Sequence, residues 1–178
     1  GCMRTPDLEK MATLKPAFTE NGSVTAATSS PLTDGASALL VCSDDHAVES
    51  GIEPLATILS TAVAGVPPEI MGYGPVPASQ TALARANLTL DDMDVIELNE
   101  AFAAQAIACM RDMELDFDDP RVNIDGGALA IGHPLGASGC RIVGKAASLL
   151  QRTSGRYALA TMCIGGGMGI ATVLERWG

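Results

Sequence analysis

Apolar and polar residues recur along this chain with two different periods. The pattern predicts strands that alternate with helices. Short apolar runs bounded by Gly, Pro or acidic residues predict strands at 38–42, 55–63, 95–98, 157–162 and 170–174. Helix-forming composition and stopping glycines predict helices at 44–50, 78–86, 101–110 and 139–150. Residues 122–124 and 128–131 are strand-like apolar pieces beside a Gly pair, whereas 1–33 and 65–77 are irregular. This order predicts an α/β fold with a largely buried sheet.

The composition is that of a globular protein with a core of small side chains. A chain of 178 residues with 47% apolar and 18% charged residues is long and apolar enough to bury one core. Aromatic residues make up only 3%, so the core must rely on close backbone approach at Gly and Ala. The net charge of −10 argues against nucleic acid and anionic membranes as partners. No apolar run approaches the length of a membrane span.

The cysteines indicate free thiols in a reducing compartment. Their number is odd and no Cys-x-x-Cys pair is present, which argues against a zinc site or a redox dithiol. We expect most of them to be buried and to pack as small apolar groups. The five are Cys2, Cys42, Cys109, Cys140 and Cys163. The N-terminus shows no signal or transit segment.

Three reactive side chains follow apolar, strand-like runs and have glycines close by. Asn99 follows 95–98, His133 lies between Gly132 and Gly136, and Cys163 precedes Gly165. Histidine can act as a base near neutral pH, and a glycine run can aim backbone N–H groups at an oxyanion. The pattern therefore predicts one acyl-transfer site built from three strand ends.

Each of these residues also has a plainer interpretation. His133 could be a loop residue that only forms a hydrogen bond, Cys163 a core residue, and Asn99 the cap of the next helix. The glycines at 165–167 could make a tight hairpin. The glycines at 132, 136 and 139 could cradle a phosphate, but they fit neither the dinucleotide spacing nor a P-loop. Glu100 and the acidic runs at 91–94 and 116–119 fit solvated turns and no calcium loop.

These motifs resemble the C-terminal signatures of the thiolase family. The matching stretches are NEAFA at 99–103, GGALAIGHP at 126–134 and CIG at 163–165. The stretch TAATSSPLTDG at 25–35 is similar to the coenzyme A loop of that family. MGYGPVP at 71–77 and ATMCIG at 160–165 look most like the 3-ketoacyl-CoA thiolases of fatty-acid β-oxidation, including β subunits of multifunctional complexes. The resemblance implies a mixed sheet with helices on both faces, with 1–33 as the tail of the loop domain and 34–178 as the C-terminal domain.

The resemblance also implies a role for each site residue. In thiolases a cysteine of the N-terminal half attacks the 3-keto carbon and carries the acyl group as a thioester. His133 matches the histidine that activates this cysteine, and Asn99 matches the asparagine that holds a water in the first oxyanion hole. Cys163 matches the acid/base that exchanges a proton with acetyl-CoA, and Gly165 a backbone donor of the second oxyanion hole. Ser30 matches a serine that contacts coenzyme A, the co-substrate; no metal or bound cofactor is implied.

The chain departs from the family in length and in its cysteines. Thiolases are about twice as long, and none of the other cysteines lies in the nucleophile motif. We therefore expect the chain alone to be inactive, with an N-terminal thiolase half, homo-oligomer contacts and a β-oxidation α subunit as partners. A non-catalytic domain that binds coenzyme A thioesters or another subunit is the alternative. The location implied is the cytoplasm in bacteria, and mitochondria or peroxisomes in eukaryotes.

Two further expectations concern the surface of the chain. The isolated half should expose apolar residues around the helices at 101–110 or 139–150 and self-associate through them. Asp125 stands where the family usually has Asn. Its carboxylate would raise the pKa of His133 if it faced the ring, or would otherwise point to solvent.

Overall fold

A four-stranded mixed β-sheet forms the centre of the computed structural model, which describes residues 5–178. Its strands are β1 (Ala56–Gly65), β2 (Val95–Leu98), β3 (Tyr157–Cys163) and β4 (Met168–Arg176), in the spatial order β1-β4-β3-β2. β2 and β3 are parallel, whereas β4 runs antiparallel to both of its neighbours, β1 and β3. The carboxyl ends of β2 and β3 therefore lie side by side at one edge of the sheet.

Helices cover both faces of this sheet. They are α1 (Leu8–Ala12), α2 (Asp44–Ser50), α3 (Pro75–Ala86), α4 (Ala103–Asp112), α5 (Ala128–Ile131) and α6 (Leu135–Thr153), with 3-10 turns at Pro68–Tyr73 and Leu90–Asp92. α3 and α4 share one apolar core with the sheet, and α6 shares a second core with the opposite face. The predicted α/β class, with a mixed sheet and helices on both faces, is confirmed.

The alternation along β2 shows why this strand is buried on both faces. Ile96 and Leu98 belong to the core beneath α3 and α4, whereas Val95 belongs to the core beneath α6. Glu97 also faces α6, where Lys145 lies opposite it. α6 meets the sheet with an apolar stripe of Ile142, Ala146, Leu149 and Leu150. One charged residue of β2 is thus enclosed between the sheet and a helix.

Most predicted elements are confirmed, with longer helices than the pattern gave. The strands at 55–63, 95–98, 157–162 and 170–174 correspond to β1, β2, β3 and β4. α6 begins at Leu135 and not at 139, because Pro134 caps its start. α3 begins at Pro75 inside the stretch predicted as a loop, since proline fits the first position of a helix.

Two strand-like predictions are wrong. The segment 38–42 crosses α6 as irregular chain, with Ser37 Oγ donating to Ala137 O at 2.6 Å and Leu39 lying against Gly144. A strand needs a hydrogen-bonded neighbour, and no strand of residues 5–178 pairs with this segment. The piece at 128–131 is the helical turn α5, so His133 follows a helix and not a strand.

The first part of the described chain, predicted as irregular, contains the short helix α1 with Asp7 at its N-cap; the rest of it up to residue 33 is irregular and contacts the motif at 99–103. The ring of Phe18 packs edge-on against Phe102, with centroids 6.4 Å apart, and Ser29 forms a bridge to Phe102. Within residues 5–178, no helix combines the length and apolarity that crossing a membrane would require.

The sheet face beneath α6 is left bare along β1. Ile58 and Val63 pair with Leu174 and Ile170, which belong to the α6 core, and paired residues share a face. Val63 is nevertheless 60% exposed. Leu40, 82% exposed, lies in the same cleft as Ile58 and Val41. We call Leu40, Val41, Ile58 and Val63 the uncovered face; the sequence had placed such a surface on the helices at 101–110 or 139–150.

Candidate active site

Asn99, the first candidate residue along the chain, lies directly after β2 and is buried. Its backbone N–H donates to Thr161 O at 3.0 Å, which continues the pairing of β2 with β3. Its side chain is 1% exposed, and Nδ2 lies 3.3 Å from Nε2 of His133. The capping interpretation is wrong, because α4 begins at Ala103 and Phe102 is its cap residue.

The side-chain oxygen of Asn99 is the second informative atom of this residue. Oδ1 is buried and has no hydrogen-bond partner within the described residues. A buried carbonyl oxygen without a partner costs about 1–3 kcal/mol, so it marks a position where a ligand or water donor is favoured. Asn99 can therefore serve His133 and a bound group at the same time.

His133 is held at the start of α6 by a glycine turn. Gly132 has φ +95°, and the side chain of Thr33 occupies the position of a Cβ there, so only glycine fits. The backbone N–H of His133 donates to Pro31 O at 3.3 Å. The histidine is buried and precedes Pro134, the cap residue of α6.

Ser138 fixes the tautomer of the His133 ring, and the sequence pattern did not single it out. Its Oγ lies 2.6 Å from Nδ1 of His133 and 3.0 Å from Pro134 O. The serine hydroxyl has one hydrogen, and the carbonyl oxygen can only accept, so Oγ donates to Pro134 and accepts from Nδ1–H. This network assigns the proton to Nδ1 and leaves the lone pair of Nε2 at the Asn99 side, as a base requires.

The surroundings of His133 keep its ring neutral. Burial lowers its pKa below the ordinary value, and the positive charge of Arg141 lowers it further. The positive end of α6 acts in the same direction. Of the two alternatives for Asp125, the solvent-facing one holds: its carboxylate pairs with Arg152 at 2.6 Å on the exposed side of the chain and does not raise the pKa of His133. That hydrogen bond lowers the pKa of Asp125 itself.

Cys163 ends β3 at the same sheet edge as Asn99. It pairs with Gly169 across the hairpin and is 5% exposed. Burial raises the pKa of its thiol, so the sulfur is protonated at neutral pH and can give a proton to a carbanion. Asn99 is bonded to Thr161, two residues before Cys163, so the parallel pair β2–β3 delivers both residues to one end.

The glycine turn after Cys163 has a left-handed backbone. Gly165, Gly166 and Gly167 have φ of +80°, +60° and +88°, in the left-handed region that other residues rarely adopt. The turn is closed by the amides of Ile164 and Met168, and the Gly165 amide takes no part in those bonds. The hairpin interpretation also holds, since the turn joins β3 to β4.

Ser30 lies beside the motif that contains Asn99. Its backbone N–H and its Oγ both donate to Ala101 O, at 3.0 and 2.9 Å. The hydroxyl oxygen keeps acceptor capacity toward a ligand. The irregular segment therefore meets the same end of the sheet as Asn99 and His133.

Glu100 is a structural anchor and not the solvated residue that the sequence suggested. Its Oε1 accepts from Asn123 Nδ2 at 2.8 Å, and Oε2 accepts from Leu129 N at 3.1 Å. Gly127 touches the carboxylate so closely that a Cβ would collide with it. The motif at 99–103 thus orders the loop before His133, a contact that spacing alone could not reveal.

The remaining cysteines and acids add no further reactive centre to this edge. Cys109 is buried and burial raises the pKa of its thiol to about 11, whereas Cys42 and Cys140 are half-buried. The four cysteines of the described range are free thiols, and Cys2 lies outside that range. Residues 5–178 contain no group of His, Cys, Asp and Glu that could hold a metal ion.

Comparison with known sequences identifies the relatives of this chain. Residues 52–176 match the profile of the thiolase C-terminal domain, and residues 3–45 match that of the thiolase N-terminal domain. The 3-ketoacyl-CoA thiolases of two Vibrio vulnificus strains, YJ016 and CMCP6, are 56% identical over 171 residues. The match covers 95% of this chain and 44% of each relative, so the chain spans less than half of their length.

Solved structures agree with the sequence match. Human mitochondrial 3-ketoacyl-CoA thiolase in complex with CoA superposes with a TM-score of 0.94 and 44% identity, over 99% of this chain and 44% of that one. The acetyl-CoA acetyltransferase of Bacillus anthracis gives a TM-score of 0.91 and 43% identity, over 96% of this chain and 43% of that one. The chain belongs to the thiolase family.

Proposed function

We propose that this chain supplies the acid–base and oxyanion side of a 3-ketoacyl-CoA thiolase centre. The observation that carries the proposal is the buried contact between Asn99 Nδ2 and His133 Nε2, with Ser138 fixing the ring from the other side. A neutral imidazole with a directed lone pair can take the proton of a thiol nucleophile. The complete reaction would cleave a 3-ketoacyl-CoA with one free coenzyme A into an acyl-CoA and acetyl-CoA, or run in reverse.

Each step of this reaction has a residue in the chain except the nucleophilic attack. His133 would take the proton of the attacking thiol when its Nε2 lone pair is released from Asn99 Nδ2, and the unpartnered Oδ1 of Asn99 would accept from a water that donates to the thioester oxygen. Cys163, protonated because it is buried, would give its proton to the carbanion of the leaving acetyl-CoA. The Gly165 amide would stabilise the second oxyanion, and Ser30 would contact the pantetheine arm of coenzyme A.

The nucleophile would come from an N-terminal thiolase half that docks on the uncovered face. The residues matching the N-terminal domain profile end at 45, so the segment 38–42 belongs by sequence to that half. This membership explains why Leu40 and Val41 form no strand here and remain exposed. In the absence of that half, two copies of the chain would hide the same surface by self-association.

Thiolytic cleavage by a mixture of this chain with a separately produced N-terminal half tests the proposal. Loss of absorbance of the 3-ketoacyl-CoA–Mg²⁺ enolate on addition of coenzyme A reports turnover. The mixture should be active, and His133→Ala and Cys163→Ser should abolish its activity. Asp125→Asn is the matched control, because that side chain faces Arg152 and solvent and should leave turnover unchanged.

A defined outcome would favour the alternative function. If the assembled mixture binds coenzyme A but shows no cleavage, a non-catalytic domain that binds coenzyme A thioesters describes the chain better. The relatives come from bacteria and human mitochondria, so we propose the bacterial cytoplasm or a eukaryotic mitochondrion or peroxisome as the site of action. A β-oxidation α subunit is a further proposed partner.

A further inference from the structure

A carboxylate enclosed between β2 and α6 has no part in the proposed chemistry. Glu97 is 3% exposed, and its Oε1 has no hydrogen-bond partner within the described residues. The nearest cation is Lys145 of α6, whose Nζ lies 3.7 Å from that oxygen, beyond hydrogen-bond distance. Burying a carboxylate whose oxygen accepts no hydrogen bond lowers the stability of the fold. Its position two residues before Asn99 therefore suggests a role at the site.

The two cations near Glu97 reach past it to the loop that carries His133. Lys145 Nζ donates to Gly126 O at 3.1 Å, and Arg141 Nη1 donates to Gly132 O at 3.1 Å. These carbonyls lie at the two ends of residues 126–132, which contain the helical turn α5 between glycines and which we call the glycine-rich loop. The second carbonyl belongs to the residue directly before His133. Arg141 and Lys145 are one helical turn apart on α6, so a rigid element holds both ends of the loop.

We propose that Glu97, Arg141 and Lys145 form a positioning cluster that fixes the glycine-rich loop and thereby the place of the His133 ring. The buried Glu97 supplies the negative charge that holds the two half-buried cations between α6 and the sheet. The cations supply the donors that hold the loop. The catalytic consequence rests on the proposed function, whereas the positioning itself can be measured on His133 without any turnover.

The charged groups around the cluster set the signs of the expected effects. Arg141 and Lys145 face Glu97 from α6, Asp125 acts from the loop, and the β3 residue paired with Glu97 is the uncharged Ala160. Burial outweighs both cations and raises the pKa of Glu97 to about 7. Arg141 is the charged neighbour that lowers the pKa of His133.

Nuclear magnetic resonance of the 178-residue chain can test the cluster, because the sequence has only two histidines. The His133 ring signals of the wild type should show a second inflection near pH 7, caused by Glu97, and E97Q should remove it. Arg141→Met should raise the pKa of His133, since the repelling cation is gone. His46, exposed on α2, is the internal control, and its ring signals at any one pH should not differ between the variants.

Amide hydrogen exchange supplies the second readout. E97Q should speed exchange at Gly132 and His133 by about five- to tenfold, the effect of weakening one hydrogen bond. Amides of β3 should keep their wild-type rates. Glu175→Gln, which removes the surface partner of Arg156, is the matched control and should change none of these rates.

A single inflection for His133 that is the same in the wild type, E97Q and Arg141→Met would overturn the proposal, as would unchanged exchange in the loop. If Arg141→Met fails to fold, the isosteric E97Q and the wild-type titration still decide the question. Loss of thiolysis in the reconstituted enzyme with an unaltered His133 titration would count against the cluster and leave the proposed function intact.

Discussion

Replacing Glu97 by Gln should change how the stability of the chain depends on pH. Burial, partly offset by Lys145 and Arg141, raises the pKa of Glu97 from 4.5 to about 7. The folded chain therefore holds this proton more tightly than the unfolded chain between those values. The wild type should lose stability relative to E97Q as the pH rises through that window, with the full loss above about pH 7.

The size of this effect follows from the same pKa difference. Each pKa unit corresponds to about 1.4 kcal/mol, so the step from 4.5 to about 7 corresponds to about 3 kcal/mol. Lys145 remains half-buried in both proteins and adds an offset that is common to all pH values. Ionisation of Glu97 therefore accounts only for the pH-dependent part of the difference in free energy of unfolding between the wild type and E97Q.

Urea unfolding between pH 4.5 and pH 8, followed by circular dichroism at 222 nm with a reductant for the free thiols, measures this difference. Glu175→Gln controls for the loss of one negative charge at the surface. A gap between wild type and E97Q that stays constant over this range would refute the reasoning. It would show that the pKa of Glu97 is the same in the folded and in the unfolded chain.

Three further predictions concern the site and the uncovered face. Ser138→Ala should remove the acceptor of Nδ1–H and give a mixture of His133 tautomers in ¹⁵N spectra; a single Nδ1–H form would contradict the assignment. Cys163 should be alkylated by iodoacetamide at pH 7.5 roughly tenfold more slowly than the half-buried Cys42, because burial raises its pKa. Peptide mass spectrometry that finds Cys163 modified first would exclude this. Leu40→Asp should reduce self-association in sedimentation velocity without lowering the urea midpoint, since this side chain is 82% exposed; unchanged sedimentation would argue against the uncovered face.

The elements and the positions of Asn99 and Cys163 at strand ends could be predicted because their signals are local. The apolar run at 95–98 and the NEAFA motif after it place Asn99 at a strand end whatever the rest of the chain does. Cys163 follows a buried run in the same way. Parallel pairing then brings the two ends together, which the α/β order already implies.

The remaining features depend on contacts between distant residues. Ser138 lies in the first turn of α6, which begins at Leu135. A sequence prediction that began the helix at Leu135 would have placed Ser138 close to His133. Glu97 looks like any alternating residue of a strand until α6 is seen to cover it with Arg141 and Lys145. Asp125 is adjacent in sequence to the loop of His133, yet its carboxylate turns away to Arg152.

The wrong strand at 38–42 has a different cause. Its apolar residues satisfy the strand pattern, but a strand is stabilised only by hydrogen bonds to a neighbour. The part of the chain that the structure describes offers none, and Leu40 and Val41 stay exposed. The pattern is informative about the longer thiolase fold, of which this chain spans less than half.

The most direct test is steady-state thiolysis of a 3-ketoacyl-CoA by the 178-residue chain. The rate is measured for the chain alone and after mixing with an N-terminal thiolase half that carries the nucleophilic cysteine. It decides whether the chain forms one side of a shared catalytic centre. We expect no turnover from the chain alone and turnover from the mixture that is lost in His133→Ala. Turnover by the chain alone, surviving Cys163→Ser but abolished by replacing another of its own cysteines, would contradict the proposal.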